Sequence, residues 1–227
     1  IRAILLVVVY QALGGKLAGD IHKFGAALEL SHAAALIHDD FIDQDKMRRG
    51  NKTIHYYYEQ KTAKIGREMA FARGKSLAIL GGDLLACYAN ELALATAFPE
   101  SSKVAAMNYY FIKGYQMGLG EMMDIHFTRR EISEKQIDQL NYLKTSTYTT
   151  EGPMVMGGIL AGADRVKLSL LRRAGRALGS AFQIKDDLLG MVDESNVIGK
   201  DSGSDLREGK TNKVVKAVLS TSPPREK

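Results

Sequence analysis

The sequence predicts an all-α protein, and three observations carry that expectation. Trp is absent and Pro numbers only 4 in 227 residues, so little interrupts a helix. Ala, Leu, Met and Lys, residues that lose least on entering a helix, recur from end to end. The apolar residues fall in stretches long enough for several helical turns. With 45% hydrophobic and 25% charged residues the chain supports one sizeable core without disordered or collagenous bias, so residues 1–227 read as a single domain.

The elements follow in order. Arg2 to Leu13 reads as a first helix whose run Ile4–Val9, ILLVVV, is too continuous for a surface helix and is expected to be buried; Gly14–Gly15 supplies its stop. That run is far shorter than the roughly 20 apolar residues that span a membrane, and neither a signal peptide nor a membrane span is read. Asp20 to Asp43 is a second helix, apolar at Ala26, Ala27, Leu30, Ala33, Ala34, Leu36 and Ile37. A lone His32 on such a helix is, by itself, a satisfied core residue. Asn51–Gly74 is polar and studded with His55 and Tyr56 to Tyr58, as in a loop leading into a helix. Lys75–Phe98 is a long apolar helix in which Gly81 and Gly82 suit close packing and Asp83 is expected to be a buried, hydrogen-bonded carboxylate. Met107–Phe127 is helical, with Met117, Met122 and Met123 as core filler. After the charged turn Thr128–Glu134, Ser133 can cap the helix that carries Tyr142–Thr150. Met154–Gly162 is a short packed helix and Val166–Val192 the last long one. Both ends read as cut: Ile1 stands uncapped in mid-helix, and Ser220–Lys227 stops at Pro223–Pro224.

Charge and cysteine content narrow the function. The formal net charge is +5, but Lys and Arg are spread along the chain without interleaved exposed aromatics, which argues against a nucleic-acid surface and suits a small anionic substrate. The single Cys87 excludes an internal disulfide and fits a reducing, cytoplasmic setting, and a lone thiol of this kind is commonly a small buried core residue.

The chemistry concentrates in Ile37–Gly50, IHDDFIDQDKMRRG. If the apolar run before it is helical, Asp39 and Asp43 are i and i+4 neighbours on one face, with Asp40 beside them. Like charges one turn apart repel, so a cation between them is expected, and hard oxygen ligands at this spacing suit Mg²⁺ shared with a phosphate. Arg48 and Arg49 add forked donors for phosphate oxygens. Together they read as a diphosphate clamp, although an isolated acidic motif is equally at home on a solvated helix end.

A second acidic stretch lies far downstream at Phe182–Asp187, FQIKDD, followed by Gly199–Lys200 and by Asp205–Thr211, DLREGKT. With Lys144–Thr145 between the two, the motifs stand in an order that resembles the trans-isoprenyl diphosphate synthases of the polyprenyl synthetase family over nearly the whole chain. The resemblance implies an all-α isoprenoid-synthase helical bundle around a central active-site cavity, assembled as a homodimer. It implies Mg²⁺ held by Asp39, Asp43 and Asp186 with Asp40 and Asp187 in support. The allylic diphosphate would meet Arg48, Lys144, Thr145, Gln183, Lys200 and Lys210, and isopentenyl diphosphate would meet Arg2, His32 and Arg49.

Product length is read from the helix before the first motif. Ala35 lies one turn and Ser31 two turns before Asp39, with Ala34 adjoining, and each turn advances about 5.4 Å, near the reach of one isoprene unit. Family members that stop at farnesyl place bulky aromatics where this chain has Ala34 and Ala35, so geranylgeranyl or longer products are implied; alanines that merely allow tight helix packing are the plainer alternative. Three departures stand out. The fifth position of the second motif is Gly190, for which Asp193 could substitute through water; Glu121 occupies a position where relatives commonly have Gln; and the lysine of the element ending at Arg2 lies outside this sequence. A class I terpene cyclase or a catalytically silent partner subunit are the rival readings.

Overall fold

A computed structural model of the chain describes residues 1–16, 18–191 and 212–221. Apart from a two-stranded antiparallel ribbon, β1 (Met47–Arg48) and β2 (Asn51–Lys52), its regular structure among the described residues is helical, as the composition predicts. Contacts divide the chain into two compact units, one of residues 18–97 and one of residues 1–16, 98–191 and 212–221.

The first of these contains α2 (Ala18–Ile42), the ribbon, α3 (Ile54–Lys61), a 3-10 turn at Ala63–Ile65 and α4 (Arg67–Leu94). Helix α3 replaces the loop expected after Gly50. Helix α4 lies against α2 and α3 through a stripe of small residues, Ala70, Gly74, Ala78, Gly82, Ala89 and Ala93, all buried. Small side chains let two helix axes approach: a Cβ on Gly74 would collide with the His55 carbonyl, and one on Gly82 with the His38 ring. The large apolar side chains of the same helix turn outward, Leu80, Leu84 and Tyr88 being 57%, 71% and 56% exposed.

That inversion corrects two expectations. Asp83 is not buried: its side chain is 62% exposed and lies 3.6 Å from His38 Nε2. Cys87 is exposed as well. Both belong to the outward side of a helix that buries its alanines and glycines instead of its leucines. By length and composition α4 is, among the described residues, a helix long and apolar enough to cross a membrane, with only 22% of its most apolar window buried.

In the second unit α1 (Arg2–Ala12) ends as expected. Gly14 adopts φ +84, its N–H bonds the Gln11 carbonyl at 3.0 Å, and the Gly15 N–H reaches Tyr10 O at 3.0 Å, the paired bonds of a Schellman stop. Burial of α1 is one-sided, however. Leu6, Val9 and Tyr10 are buried, while Ile4 and Val8 are exposed, so the continuous apolar run does not make a fully enclosed helix. The buried side meets α7 (Gly152–Leu160), where a Cβ on Gly157 would stand 2.5 Å from the Leu6 carbonyl oxygen.

Helix α5 (Glu100–Phe127) leads to α6 (Glu134–Asn141), which Ser133 caps: its Oγ accepts from Gln136 N at 3.3 Å, and Gln136 Oε1 accepts from Ser133 N at 2.9 Å. The helix then widens into a π-helix over Tyr142–Glu151 before continuing as α7. Such widenings are rare and cluster at functional sites. Helix α8 (Arg165–Met191) lies against the π-helix, and α9 (Lys213–Thr221) is tied back by Lys216 Nζ donating to Ile132 O at 2.7 Å.

Two glycines make the α8 contact possible. A Cβ on Gly175 would stand 2.5 Å from Glu151 Cα, and one on Gly179 would stand 2.6 Å from Ser146 Cα. The Glu151 and Ser146 Cα atoms among these obstacles move only with the helix. Gly179→Ala is therefore expected to cost about 1–3 kcal/mol of stability, despite the helix-propensity gain of about 1 kcal/mol. A chemical-denaturation midpoint shifted downward checks this.

Candidate active site

In the unit of α2 to α4, the helix register places the first motif. Asp43 N bonds to Asp39 O at 2.9 Å, so the i, i+4 relation holds to the last turn. The chain then turns, Asp45 N reaching Asp40 O at 2.8 Å, and enters the ribbon. Arg49 and Gly50 form its two-residue turn with φ of 50 and 76, the left-handed pair that matches strand twist. This turn explains the RRG spacing: Arg48 stays on β1 and folds back to the carboxylates, while Arg49 at the turn is exposed.

Arg48 gathers the acidic end of α2. Its Nη2 donates to Asp39 Oδ2 at 3.0 Å and lies 3.7 Å from Asp45 Oδ2, and its Nε donates to Asp40 Oδ1. Asp40 is the buried member, 5% exposed. Burial pushes its carboxyl above the ordinary range, against the hydrogen bond and charge of Arg48, which pull it down. His38 acquires a role that its sequence context did not reveal. Its Nε2 lies 3.0 Å from the Ile79 carbonyl of α4, which ties down the helix end that carries the aspartates. His55, buried behind the ribbon, stacks edge-on to Phe41 at 5.9 Å; burial lowers its pKa, against Glu59 and Asp45. Ser31 and Ala34 are buried on α2, and Ala35 and His32 are half-buried.

These donors suit Mg²⁺. Among the described residues no cluster of three or more acidic, His or Cys side chains would hold a metal alone. Mg²⁺ is ordinarily held by one or two carboxylates with water and substrate phosphates completing its shell, and Asp39 and Asp43 offer that number.

The second unit brings together Thr145, Gln183 and Asp187. Thr145 Oγ1 donates to Gln183 Oε1, and Gln183 Nε2 donates to Asp187 Oδ1 at 2.7 Å. Asp187 is 4% exposed, whereas Asp186 next to it is exposed. Lys144 turns the other way, toward α5, donating to Asp124 Oδ2 at 2.5 Å and lying 2.8 Å from Glu121 Oε2. Burial opposes its charge, but Asp124 and Glu121 hold the amine well above its ordinary range, so it is an ammonium at any physiological pH. Arg2 reaches the same π-helix: its Nη2 donates to Thr149 Oγ1 at 2.9 Å and its guanidinium lies 4.7 Å from the Tyr148 ring centre. Gly190 lies within α8. Lys200, Lys210 and Asp193 lie outside the described residues.

A charged cluster that the sequence reading missed underlies this site. Glu151, fully buried, accepts from Tyr109 at 2.7 Å, from Tyr142 at 3.2 Å and from Arg176 Nε at 2.9 Å, and pairs with Lys113 Nζ at 2.7 Å. Burial alone would raise its pKa; the hydrogen bonds of Lys113, Tyr109 and Arg176 overcome that and lower it. Burial, then the carboxylate, raise the pKa of Tyr109 and Tyr142. The available signal was the isolation of Glu151 and Lys113 as charges in otherwise apolar or neutral segments.

A helical fold with paired acidic motifs, each backed by basic or amide side chains, is the design of a diphosphate-handling protein. Residues 1–227 match the Polyprenyl synthetase family in full, and the chain belongs to that family. It is 33% identical over 220 residues to the short chain isoprenyl diphosphate synthase of Methanothermobacter thermautotrophicus, covering 96% of this chain and 62% of that protein. To the geranylgeranyl diphosphate synthase of Sulfolobus acidocaldarius it is 31% identical over 230 residues, covering 100% of this chain and 64% of that one. The crystal structure of geranylgeranyl pyrophosphate synthase from Corynebacterium glutamicum, complexed with isoprenyl diphosphate and magnesium, superposes with a TM-score of 0.87 at 28% identity, covering 98% of this chain and 66% of that one. The chain thus spans a little under two thirds of the length of these relatives, and its fold is the all-α isoprenoid synthase fold.

Proposed function

We propose that residues 1–227 act as one synthase domain that condenses isopentenyl diphosphate head-to-tail with an allylic diphosphate, giving geranylgeranyl or longer trans-polyprenyl diphosphate. The observation that carries this reading is the run Thr145–Gln183–Asp187, which joins the Lys-Thr pair to the second acidic motif by side-chain hydrogen bonds. Two stretches legible separately in the sequence belong to one polar surface, with Lys144 next in the chain.

Ionising an allylic diphosphate creates a carbocation and a highly anionic leaving group. The site must stabilise the anion without presenting a nucleophile to the cation. Asp39, Asp43 and Asp186 would hold Mg²⁺, which when bound neutralises diphosphate charge and occupies the carboxylates. Arg48, Lys144, Thr145 and Gln183 bind and orient the allylic diphosphate, together with Lys200 and Lys210. Arg2, His32 and Arg49 hold isopentenyl diphosphate, whose double bond attacks the allylic carbon; the proton then lost passes to the departing diphosphate. Apolar side chains keep water from the cation.

The small side chains on α2, half-buried Ala35 with buried Ser31 and Ala34, are the basis for proposing a product longer than farnesyl. Ala35→Phe is expected to shorten the product by at least one isoprene unit while turnover with dimethylallyl diphosphate persists. Chromatography of radiolabelled products from the full-length protein, with Mg²⁺ and dimethylallyl, geranyl or farnesyl primers, checks both claims. A wild-type product that stops at farnesyl removes the channel argument, and no turnover with any primer favours the silent-subunit reading. A homodimer in the cytoplasm completes the proposal, and the outward apolar side chains Leu80, Leu84 and Tyr88 of α4 support the dimer.

A further inference from the structure

The first and last residues of the π-helix hold one another. Tyr142 OH donates to Glu151 Oε2 at 3.2 Å, although the two stand at opposite ends of a ten-residue element. At the ordinary 3.6 residues per turn, the nine steps between them would make about two and a half turns and leave the side chains on opposite faces. A π-helix, bonded i to i+5, takes more residues per turn and brings both to one face. The hydrogen bond is therefore specific to the wide winding.

The neighbouring helices anchor it. Fully buried Glu151 accepts from Tyr109 of α5 at 2.7 Å and from Arg176 Nε of α8 at 2.9 Å, and pairs with Lys113 of α5 at 2.7 Å. The Arg176 guanidinium also lies 4.9 Å from the Tyr142 ring centre, so it touches both ends of the clasp. Glycines leave room for the wider backbone: a Cβ on Gly120 of α5 would stand 2.5 Å from Lys144 N, and one on Gly175 of α8 would stand 2.5 Å from Glu151 Cα. Thr145 lies in the first turn of the same winding, and its Oγ1 donates to Gln183 Oε1, about two turns beyond Arg176 on α8. Helix α8 thus fixes Glu151 and receives Thr145. Rewinding Tyr142–Glu151 as an ordinary helix would rotate Thr145 relative to Glu151 and turn it away from Gln183.

We infer that Tyr142 is a positioning residue, whose hydroxyl, through Glu151, holds the wide winding that aims Thr145 at the second acidic motif. The inference rests on the assignment of Thr145 and Gln183 to the allylic diphosphate. Tyr142 touches no reacting atom.

Tyr142→Phe removes the hydroxyl and keeps the ring beside Arg176. In the full-length protein it is expected to lower kcat/KM for dimethylallyl diphosphate about tenfold, with a melting temperature close to that of wild type. Amide hydrogen exchange should quicken over Tyr142–Glu151 and stay unchanged in α4. Thr145→Ala should lower kcat/KM by itself, and in the double variant Tyr142→Phe should add no further loss, because its route is Thr145. Losses that multiply in the double variant overturn the inference, as does wild-type kcat/KM or unchanged exchange over Tyr142–Glu151 in Tyr142→Phe. Exchange that quickens equally in α4 marks a general structural role and overturns it too. Wild-type kcat/KM in Thr145→Ala overturns the assignment of Thr145 and this inference with it, and a wild-type protein that turns over no primer removes the synthase reading and the inference together.

Discussion

Replacing Glu151 with alanine is expected to destabilise the protein by about 3–5 kcal/mol, the cost of leaving a buried charge without its partner. Lys113 is only 5% exposed, and its ammonium pairs with Glu151 at 2.7 Å and donates to Gln116 Oε1 at 3.1 Å. Removing the carboxylate also takes an acceptor from Tyr109, Tyr142 and Arg176. Those three can turn toward water or each other at some cost; Lys113 cannot leave the interior without dragging α5. Glu151→Gln keeps the shape and one acceptor oxygen and should lose less. Denaturant unfolding of wild type, alanine and glutamine variants is the measurement, and a loss below about 1 kcal/mol for alanine would show the cluster to be solvated.

The same group has an acid signature. The folded-state pKa of Glu151 is depressed below the ordinary glutamate value of about 4.3, so the unfolded chain binds its proton first as pH falls. Its stabilisation is complete above the ordinary value and is lost as pH drops through that value and then through the folded pKa. Wild type should therefore lose stability on acidification faster than Glu151→Gln, and the gap between them should close below the usual carboxylate range. Parallel acid titrations of the melting temperature check the sign.

Why that cluster escaped the sequence while the first motif did not is a matter of sequence distance. Asp39, Asp40 and Arg48 lie within ten residues, so helix periodicity and a left-handed Arg-Gly turn suffice to bring them together. Ser133 was legible for the same reason, its cap being decided three residues on. Glu151 draws its partners from α5, the π-helix and α8, up to 42 residues away, and no local pattern specifies their convergence. The π-helix was equally hidden, since Tyr142–Glu151 carries no spacing that separates it from an ordinary helix. On α4 close packing through glycine is legible and Gly82 is buried, but Asp83 and Cys87 face outward, because the buried stripe is alanine and glycine, close helix approach rewarding small side chains more than large ones.

The two acidic motifs share an asymmetry of exposure. In each, the second aspartate is buried and engaged, Asp40 by Arg48 and Asp187 by Gln183, while the first, Asp39 or Asp186, is the more exposed. Asp39, which Arg48 also holds, is more accessible than Asp40 and stands at i, i+4 to Asp43, and on the assignment proposed above it and the exposed Asp186 are the groups placed to meet a cation. Asp39→Asn is therefore expected to lower condensation by about 10²–10³, the loss typical when one stabiliser of a developing anion is removed, and to raise the Mg²⁺ concentration needed for half-maximal rate. Asp40→Asn should cost about 10–100-fold, as outer-shell partners do. Since burial already disfavours its charge, the amide should leave the melting temperature nearly unchanged. Rates measured across a Mg²⁺ series for Asp39→Asn, Asp40→Asn, Asp186→Asn and Asp187→Asn decide the point. If Asp40→Asn falls as far as Asp39→Asn with the same Mg²⁺ shift, Asp40 is itself a ligand, and Arg48 must release it when the cation arrives.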